Sequence, residues 1–326
     1  MKRLILCASL VFGVSQATAA PALLVDADNG NILFAQDATR SWHPASLTKL
    51  MTAHLALLAV EAGKMRLSDP VVISPLAAAA LPSKSGIPAG NAVRLDEALR
   101  IMLVRSANDM AIAIAEAVNG NVETFVSAMN EEAAKLNMSG TNFRNPNGLD
   151  ADDQVTTARD MAVLALAVSK QHQAYADFFR TPFITLNGKQ LANTNELIGK
   201  YPGIDGMKTG FTCGSGFNLV ASATQNGKRF ISVVMGARKK ADRTTMSRAL
   251  LDLGFSGNAP VLSNLRSLKS SGPVKATNTS VCSGNADPEE AKDGPPITAV
   301  AKSPSPKAKP HPRAVSTHAA PTITRF

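Results

Sequence analysis

The 326-residue chain carries 34 Lys and Arg against 25 Asp and Glu, a formal net charge of +9, with 45% apolar and only 5% aromatic residues. That apolar share suffices for one or two buried cores and excludes a wholly disordered chain. The positive charge suits a polyanionic neighbour such as a cell wall or membrane surface, and with no Cys/His finger spacing it gives nucleic-acid binding no motif.

Lys2-Arg3, an apolar run from Leu4 to Val14 and the small-residue stretch Ala17-Thr18-Ala19 read as a cleaved secretory signal over residues 1–19. The run is too short for a permanent span of roughly 30 Å of hydrocarbon, and no later stretch offers about 20 uninterrupted apolar residues. An exported protein without an evident transmembrane anchor is expected. Cys7 lies within the signal, leaving Cys213 and Cys282, too few for a disulfide-stapled scaffold. Nothing in the sequence fixes whether these two pair.

Two short apolar stretches between Ala22 and Ala35, split by Asn29-Gly30, predict a β-hairpin, because Asn-Gly accepts the positive φ of a tight turn. Residues 47–62, rich in Leu, Ala and Met and free of Pro and Gly, predict a mostly buried helix with Ser46 at its N-terminus. Three further helix-like runs fill 94–137, broken at Ser106-Ala-Asn108 and Asn119-Gly120, and a turn-rich loop at 145–150 leads to a helix over about 157–169. Short β-type runs follow at 183–186, 204–212, 217–223 and 230–235, then a helix around 241–253. These elements predict an α/β (α+β) fold: one sheet formed by the first and last strands, with helices inserted between them, an all-α insertion occupying about 75–150. From 257 to 326 the composition turns to Pro, Ser, Ala, Thr and Lys, which predicts a mostly disordered basic tail. The functional unit is expected over 20–256.

Ser46-Leu-Thr-Lys49 is the only Ser-x-x-Lys in the chain, and an i, i+3 pair shares one helix face, so the amine can reach the hydroxyl. A neutral amine is the useful base, yet deprotonating an ordinary Lys at pH 7 costs about 4.6 kcal/mol. Burial and a second cation both lower that cost, and Lys208 is the candidate cation. Ser106-Ala-Asn108 reads either as a helix N-cap or as a hydroxyl that relays a proton beside an amide that holds substrate and Lys49. Lys208-Thr-Gly210 falls in an expected strand, where Gly210 permits close approach of backbone, an extended peptide can align along the edge, and Lys208 with Thr209 can bind a carboxylate.

In this order and with these separations, Ser-x-x-Lys, Ser-x-Asn and Lys-Thr-Gly resemble the signatures of the penicilloyl-serine transferase superfamily. More narrowly, Pro44–Thr52, Ser106–Asp109, Asn145–Leu149 and Gly203–Thr212 resemble the D-alanyl-D-alanine carboxypeptidases, the low-molecular-mass penicillin-binding proteins, over roughly residues 21–256. The resemblance implies a DD-peptidase/β-lactamase-like antiparallel sheet flanked by helices. It implies Ser46 as acyl-enzyme nucleophile, Lys49 as its base, and Ser106 and Asn108 as proton relay and substrate anchor. Lys208, Thr209 and Gly210 would bind substrate, the backbone N–H groups of Ser46 and Phe211 would form the oxyanion hole, and Arg238 would lie near the substrate's terminal carboxylate. Peptidoglycan stem peptides are the implied substrate, β-lactams the implied inhibitors, and neither metal nor organic cofactor is implied. Ala107 stands where these enzymes commonly carry Gly, and residues 257–326 offer neither the β-rich domain nor the amphipathic anchoring helix common in the family.

Rival readings are weaker on the residues. His43 precedes the helix start, with no Asp placed to orient it for a Ser-His-Asp triad. His54 reads as a packed or surface helix residue. Trp42 either lines the mouth of the site or packs beneath it. The glycines of 203–209 do not fit a phosphate loop. A β-lactamase would need a deacylating Glu of the Glu-x-x-Leu-Asn type, which is absent. An endopeptidase acting on cross-links, or a non-catalytic wall-binding or penicillin-sensing protein in which the basic tail contacts the wall or membrane surface, remain as alternatives.

Overall fold

In the computed structural model, which describes residues 20–276 and 281–283, the chain opens with the expected hairpin, β1 (Ala22–Asp26) and β2 (Asn31–Gln36), turned at Gly30 with φ 78°. A 3₁₀ turn over Ala45–Thr48 runs into α1 (Lys49–Glu61). Then come β3 (Pro70–Val72), α2 (Pro75–Ala78), β4 (Ala92–Arg94), α3 (Leu95–Arg105), α4 (Asn108–Asn119) and α5 (Val122–Lys135). Helix α6 (Ala158–Gln171) and the short α7 (Asp177–Arg180) lead to the hairpin β5 (Phe183–Leu186) and β6 (Lys189–Ala192). Strands β7 (Ile204–Thr212), β8 (Gly216–Gln225) and β9 (Lys228–Ala237) are followed by α8 (Lys240–Phe255) and a two-residue β10 (Ser263–Asn264).

Six strands form one antiparallel sheet in the order β10-β2-β1-β9-β8-β7. Its two faces are covered differently, and alternation along β1 shows how: Leu23 and Val25 join the large core with α1 and α3–α6, while Ala22 and Leu24 join Leu250 and Leu251 of α8 on the other side. Central β8 is buried through its first eight residues, and both β8 and β9 extend past their apolar stretches into polar ends because the ladder, not hydrophobicity, terminates them. Two features escape the sequence pattern. A small sheet, β3 with β4, stands at the entry to the helical insertion, and polar Lys189–Ala192 pairs with β5 as a second hairpin.

The structure corrects the expectation that order ends at residue 256. Residues 263–264 pair with β2, Leu265 is buried, and Leu265 N–H donates to Gly30 O at 2.8 Å. Arg159 fastens this segment: its Nε donates to Leu268 O at 2.8 Å, and its Nη1 donates to Asn137 O and, at 2.9 Å, to Asp160 Oδ1. Ordering here comes from bonds to a distant buried arginine, which composition does not reveal. The remaining tail and the expected signal, residues 1–19, fall outside the described residues, as does any wall contact of the tail. Among the described residues no helix is long and apolar enough to cross a membrane.

Asp160, fully buried, also accepts from Gly140 N–H and Thr141 Oγ1, each at 2.8 Å. Replacing Arg159 by Ala leaves that carboxylate without its cation and frees residues 265–268, so a loss of about 3–5 kcal/mol in urea-unfolding stability is expected. A loss under about 1 kcal/mol would contradict this account of the segment.

Candidate active site

Ser46 sits in the 3₁₀ turn at the N-terminus of α1, and its i, i+3 relation to Lys49 holds because the turn runs directly into the helix. Ala45 takes a left-handed φ of 46°, a conformation costing an L-residue roughly 1–2 kcal/mol, so something must hold it. Three supports do. Asn218, the one side-chain amide in the buried stretch 216–223 of β8, donates from Nδ2 to both His43 O and Pro44 O at 3.1 Å, and its Oδ1 accepts from Gly236 N–H at 2.8 Å. Gly148 lies directly against the turn: a Cβ there would sit 2.0 Å from Ala45 O. Gly210 of β7 passes so close that its Cβ would lie 3.1 Å from Ser46 N and 3.2 Å from Leu47 N, which is why that strand position has no side chain.

Lys49 is fully buried, and its Nζ lies 2.8 Å from Ser46 Oγ and 2.7 Å from Asn108 Oδ1, with Asn147 O as third neighbour. Two of these partners are pure acceptors. They take both N–H bonds of a neutral amine and leave its lone pair for the serine O–H. The amine is held well below the ordinary lysine value, first by burial, then by the charge of Lys208, with Asp109 opposing. Asn108 is oriented for this contact: its Nδ2 donates to Leu81 O at 2.9 Å and its N–H to Ser83 O at 2.7 Å, while Asp109 accepts from Ser85 N–H at 2.9 Å. The loop carrying Asn147 is anchored by Thr52 Oγ1 donating to Pro146 O at 2.6 Å.

Ser106 overturns the capping alternative. It is the left-handed residue ending α3 at φ 61°, α4 starts without a side-chain cap, and Ser106 Oγ instead accepts from Lys208 Nζ at 3.0 Å. Lys208, on β7, is buried and also donates to Thr209 O at 2.9 Å. Its amine is lowered to about 7, first by burial and then by Arg243. Thr209 Oγ1 lies 2.7 Å from Thr194 Oγ1, and the Phe211 ring stacks on Phe217 at 4.2 Å.

The sheet edge, the 3₁₀ turn, the α3–α4 junction and the β5–β6 hairpin enclose a cleft of about 1160 Å³, lined among others by Ser46, Ser106, Asn108, Thr209, Gly210 and Phe211. Arg238 is exposed just beyond β9 and does not line it; buried Arg243, three residues into α8, does. The sequence reading missed Arg243, Asn147 and Asn218. An amide within the apolar run of β8 was a usable signal for Asn218, whereas Asn147 acts through its carbonyl and leaves none. Trp42 packs: it is buried, donates from Nε1 to Ser215 O at 2.9 Å, and lies against Gly236. His43 bonds Gln154 O at 3.1 Å through Nδ1. His54 is buried on α1 with Nδ1 2.7 Å from His172 Nε2, and burial followed by that neighbour lowers it to about 4, so it is neutral. Among the described residues no group of three or more His, Cys, Asp or Glu is placed to hold a metal ion.

A serine hydroxyl facing a buried amine whose charged form burial disfavours, with a second buried lysine close by and all of it at the junction of an antiparallel sheet and a helical body, defines the penicilloyl-serine transferase class. The family model described as D-alanyl-D-alanine carboxypeptidase matches residues 11–239, and the chain belongs to that family. It is 36% identical over 241 residues to the Bacillus subtilis D-alanyl-D-alanine carboxypeptidase DacF, covering 72% of this chain and 61% of the relative. It is 37% identical over 265 residues to the Escherichia coli enzyme DacC, covering 77% and 66%. The chain thus spans about three fifths to two thirds of the length of these relatives. Penicillin binding protein 5 from Haemophilus influenzae superposes with a TM-score of 0.71 at 36% identity, covering 73% of this chain and 71% of that one. Penicillin-binding protein D2 from Listeria monocytogenes, solved in an ampicillin-bound form, gives 0.66 at 32% identity, covering 73% and 97%.

Proposed function

We propose that this protein is an exported serine D,D-carboxypeptidase that removes the terminal D-alanine from peptidoglycan stem pentapeptides. The observation that carries the reading is the pairing of fully buried Lys49, its Nζ flanked by two fixed acceptors, with the cleft-facing Ser46 Oγ at 2.8 Å. Ser46 Oγ attacks the carbonyl carbon of the penultimate D-alanine while Lys49 takes its proton. The oxyanion is held by the N–H groups of Ser46 and Phe211, and Lys208, Thr209 and Arg243 hold the terminal carboxylate. Collapse breaks the C–N bond, and the departing amine receives a proton through Ser106. Water then cleaves the acyl-serine ester, returning the hydroxyl. The bulk of the acceleration rests on charge and N–H donors placed around the reacting carbonyl, and no metal or organic cofactor is invoked.

β-Lactams acylate the same serine as substrate mimics in this reading, in keeping with a relative solved with ampicillin bound. The basic tail is proposed to contact the wall or membrane surface through its positive charge. The test has two readouts. D-Alanine appears in equal amount with tetrapeptide when the wild type meets a pentapeptide, and labelled penicillin gives a slowly released adduct mapping to Ser46. An adduct on another residue, or equal D-alanine release by Ser46→Ala, sinks the assignment. Rapid penicillin turnover would identify a β-lactamase instead, and cleavage of cross-linked muropeptides in preference to pentapeptides an endopeptidase.

A further inference from the structure

Cys213 and Cys282, whose pairing the sequence leaves open, are joined in a disulfide across 69 positions of chain. The bond lies at the cleft. Cys213 directly follows Thr212 at the end of β7 and lines the cavity, and both half-cystines are exposed. The bond brings the short turn Val281–Ser283 against that rim: Val281 N–H donates to Cys213 O at 3.2 Å, and Val281, like Phe211, packs against the apolar cluster that contains Phe217.

Position along β7 tells which part of a substrate meets this rim. Gly210 lies beside Ser46 N, so the scissile carbonyl belongs there. Lys208, two residues before it, takes the terminal carboxylate in the reading above, on which this inference rests. The rest of the peptide must then leave in the opposite direction, past Phe211 and Thr212 to Cys213. That rim is tied on its inner side by Thr212 Oγ1 donating to Asp150 Oδ1 at 2.8 Å and by Trp42 Nε1 donating to Ser215 O at 2.9 Å. The disulfide supplies the tie on its outer side.

We propose that the Cys213–Cys282 disulfide is a positioning device that fixes the cleft rim against which the upstream residues of the donor peptide lie, and so sets the preference for long peptides over minimal ones. Cys282 touches no substrate; it acts through Cys213. Because the bond is exposed, a dithiol opens it: two electrons and two protons pass from dithiothreitol to the two sulfurs, giving two thiols and the cyclic disulfide of the reagent.

The experiment compares oxidised wild type, dithiothreitol-reduced wild type and Cys282→Ser, with thiol titration reporting the bond's state. Each is given an N-acetyl-D-alanyl-D-alanine probe and a full stem pentapeptide. Opening the bond is expected to lower the ratio of kcat/KM for the pentapeptide to that for the short probe about 10-fold, mainly through KM, and reoxidation of the wild type restores it. An unchanged ratio overturns the proposal. So does loss of the folded state on reduction, seen by circular dichroism, since the bond would then be a general staple. D-Alanine release from neither substrate in any state would instead condemn the assigned reaction, which keeps the two failures apart.

Discussion

Exchanging Lys49 for Met, which keeps the stem and removes the amine, is expected to lower the rate of Ser46 acylation about 10⁴-fold while the fold persists. The apolar tip suits a fully buried site but leaves the Asn108 and Asn147 acceptors unpaired, so thermal unfolding should move only modestly to lower temperature. Stopped-flow acylation by penicillin measures the loss, and a variant within 10-fold of wild type would remove Lys49 from the mechanism. The same lysine sets the acid limb of the pH profile, because protonation takes away the lone pair that receives the serine proton. Lys208 sets the alkaline limb: its amine is lowered to about 7 in the free protein and must be charged to hold a carboxylate. A bell-shaped kcat/KM is therefore expected, its alkaline side falling from about 7. Lys208→Arg should push that limb upward, since a guanidinium stays charged. Stability follows the opposite sense. Between about 7 and 10.5 the unfolded chain holds the Lys208 proton and the folded one does not, so urea stability rises with pH across that window and levels off below it. A flat rate profile from pH 5 to about 9 contradicts this division of labour.

Gly148→Ala is expected to be the most damaging single-methyl change near the site. The residue has φ 86°, and the added Cβ would lie 2.0 Å from Ala45 O and 2.4 Å from its carbonyl carbon, both backbone atoms that cannot swing aside. Either the Asn145–Leu149 loop withdraws, taking the Asn147 carbonyl from Lys49, or the 3₁₀ turn moves and carries Ser46 with it. Both routes disturb the reacting pair, so acylation should fall by about 10²-fold or more and stability by about 3 kcal/mol. Gly227→Ala is the control: φ there is also positive, at 77°, but a Cβ meets nothing within 4 Å, so its cost is confined to stability. Equal acylation by both variants would show that Gly148 does not position the turn.

How much of this was written in the sequence depends on how local each determinant is. The β1–β2 hairpin was legible because Asn29-Gly30 announces its turn, and α1 because its composition allows little else. Ser46, Lys49, Ser106, Asn108 and Lys208 were legible as types and spacings, and the structure sets Ser46, Ser106 and Asn108 in the wall of one cleft with the two lysines buried behind them, hydrogen-bonded to Ser46 and Ser106. What stayed hidden acts across the chain. Arg238 followed from the family resemblance alone; it is exposed just beyond β9, and Arg243 of α8, which no motif marks, lines the cleft instead. Ser106 read either as a cap or as a proton relay, because a window of sequence cannot show that its left-handed backbone ends one helix and hands the hydroxyl to a lysine 102 positions away. Residues 263–268 looked too polar to order, yet they are held by β2 and Arg159, and Cys282 is held by a disulfide, partners that no window of sequence contains.

The two outer strands of the main sheet differ in a way that bears on life at high concentration. On one side β10 pairs only two residues with β2, too little exposed ladder to template a neighbouring chain. On the other, nine-residue β7 keeps an open edge, but that edge forms the floor of a cleft overhung by the β5–β6 hairpin and the α3–α4 junction. A single extended peptide can slide in, whereas a second folded copy cannot bring a strand of its own alongside. The geometry that admits substrate thereby guards the molecule against fibrous self-association.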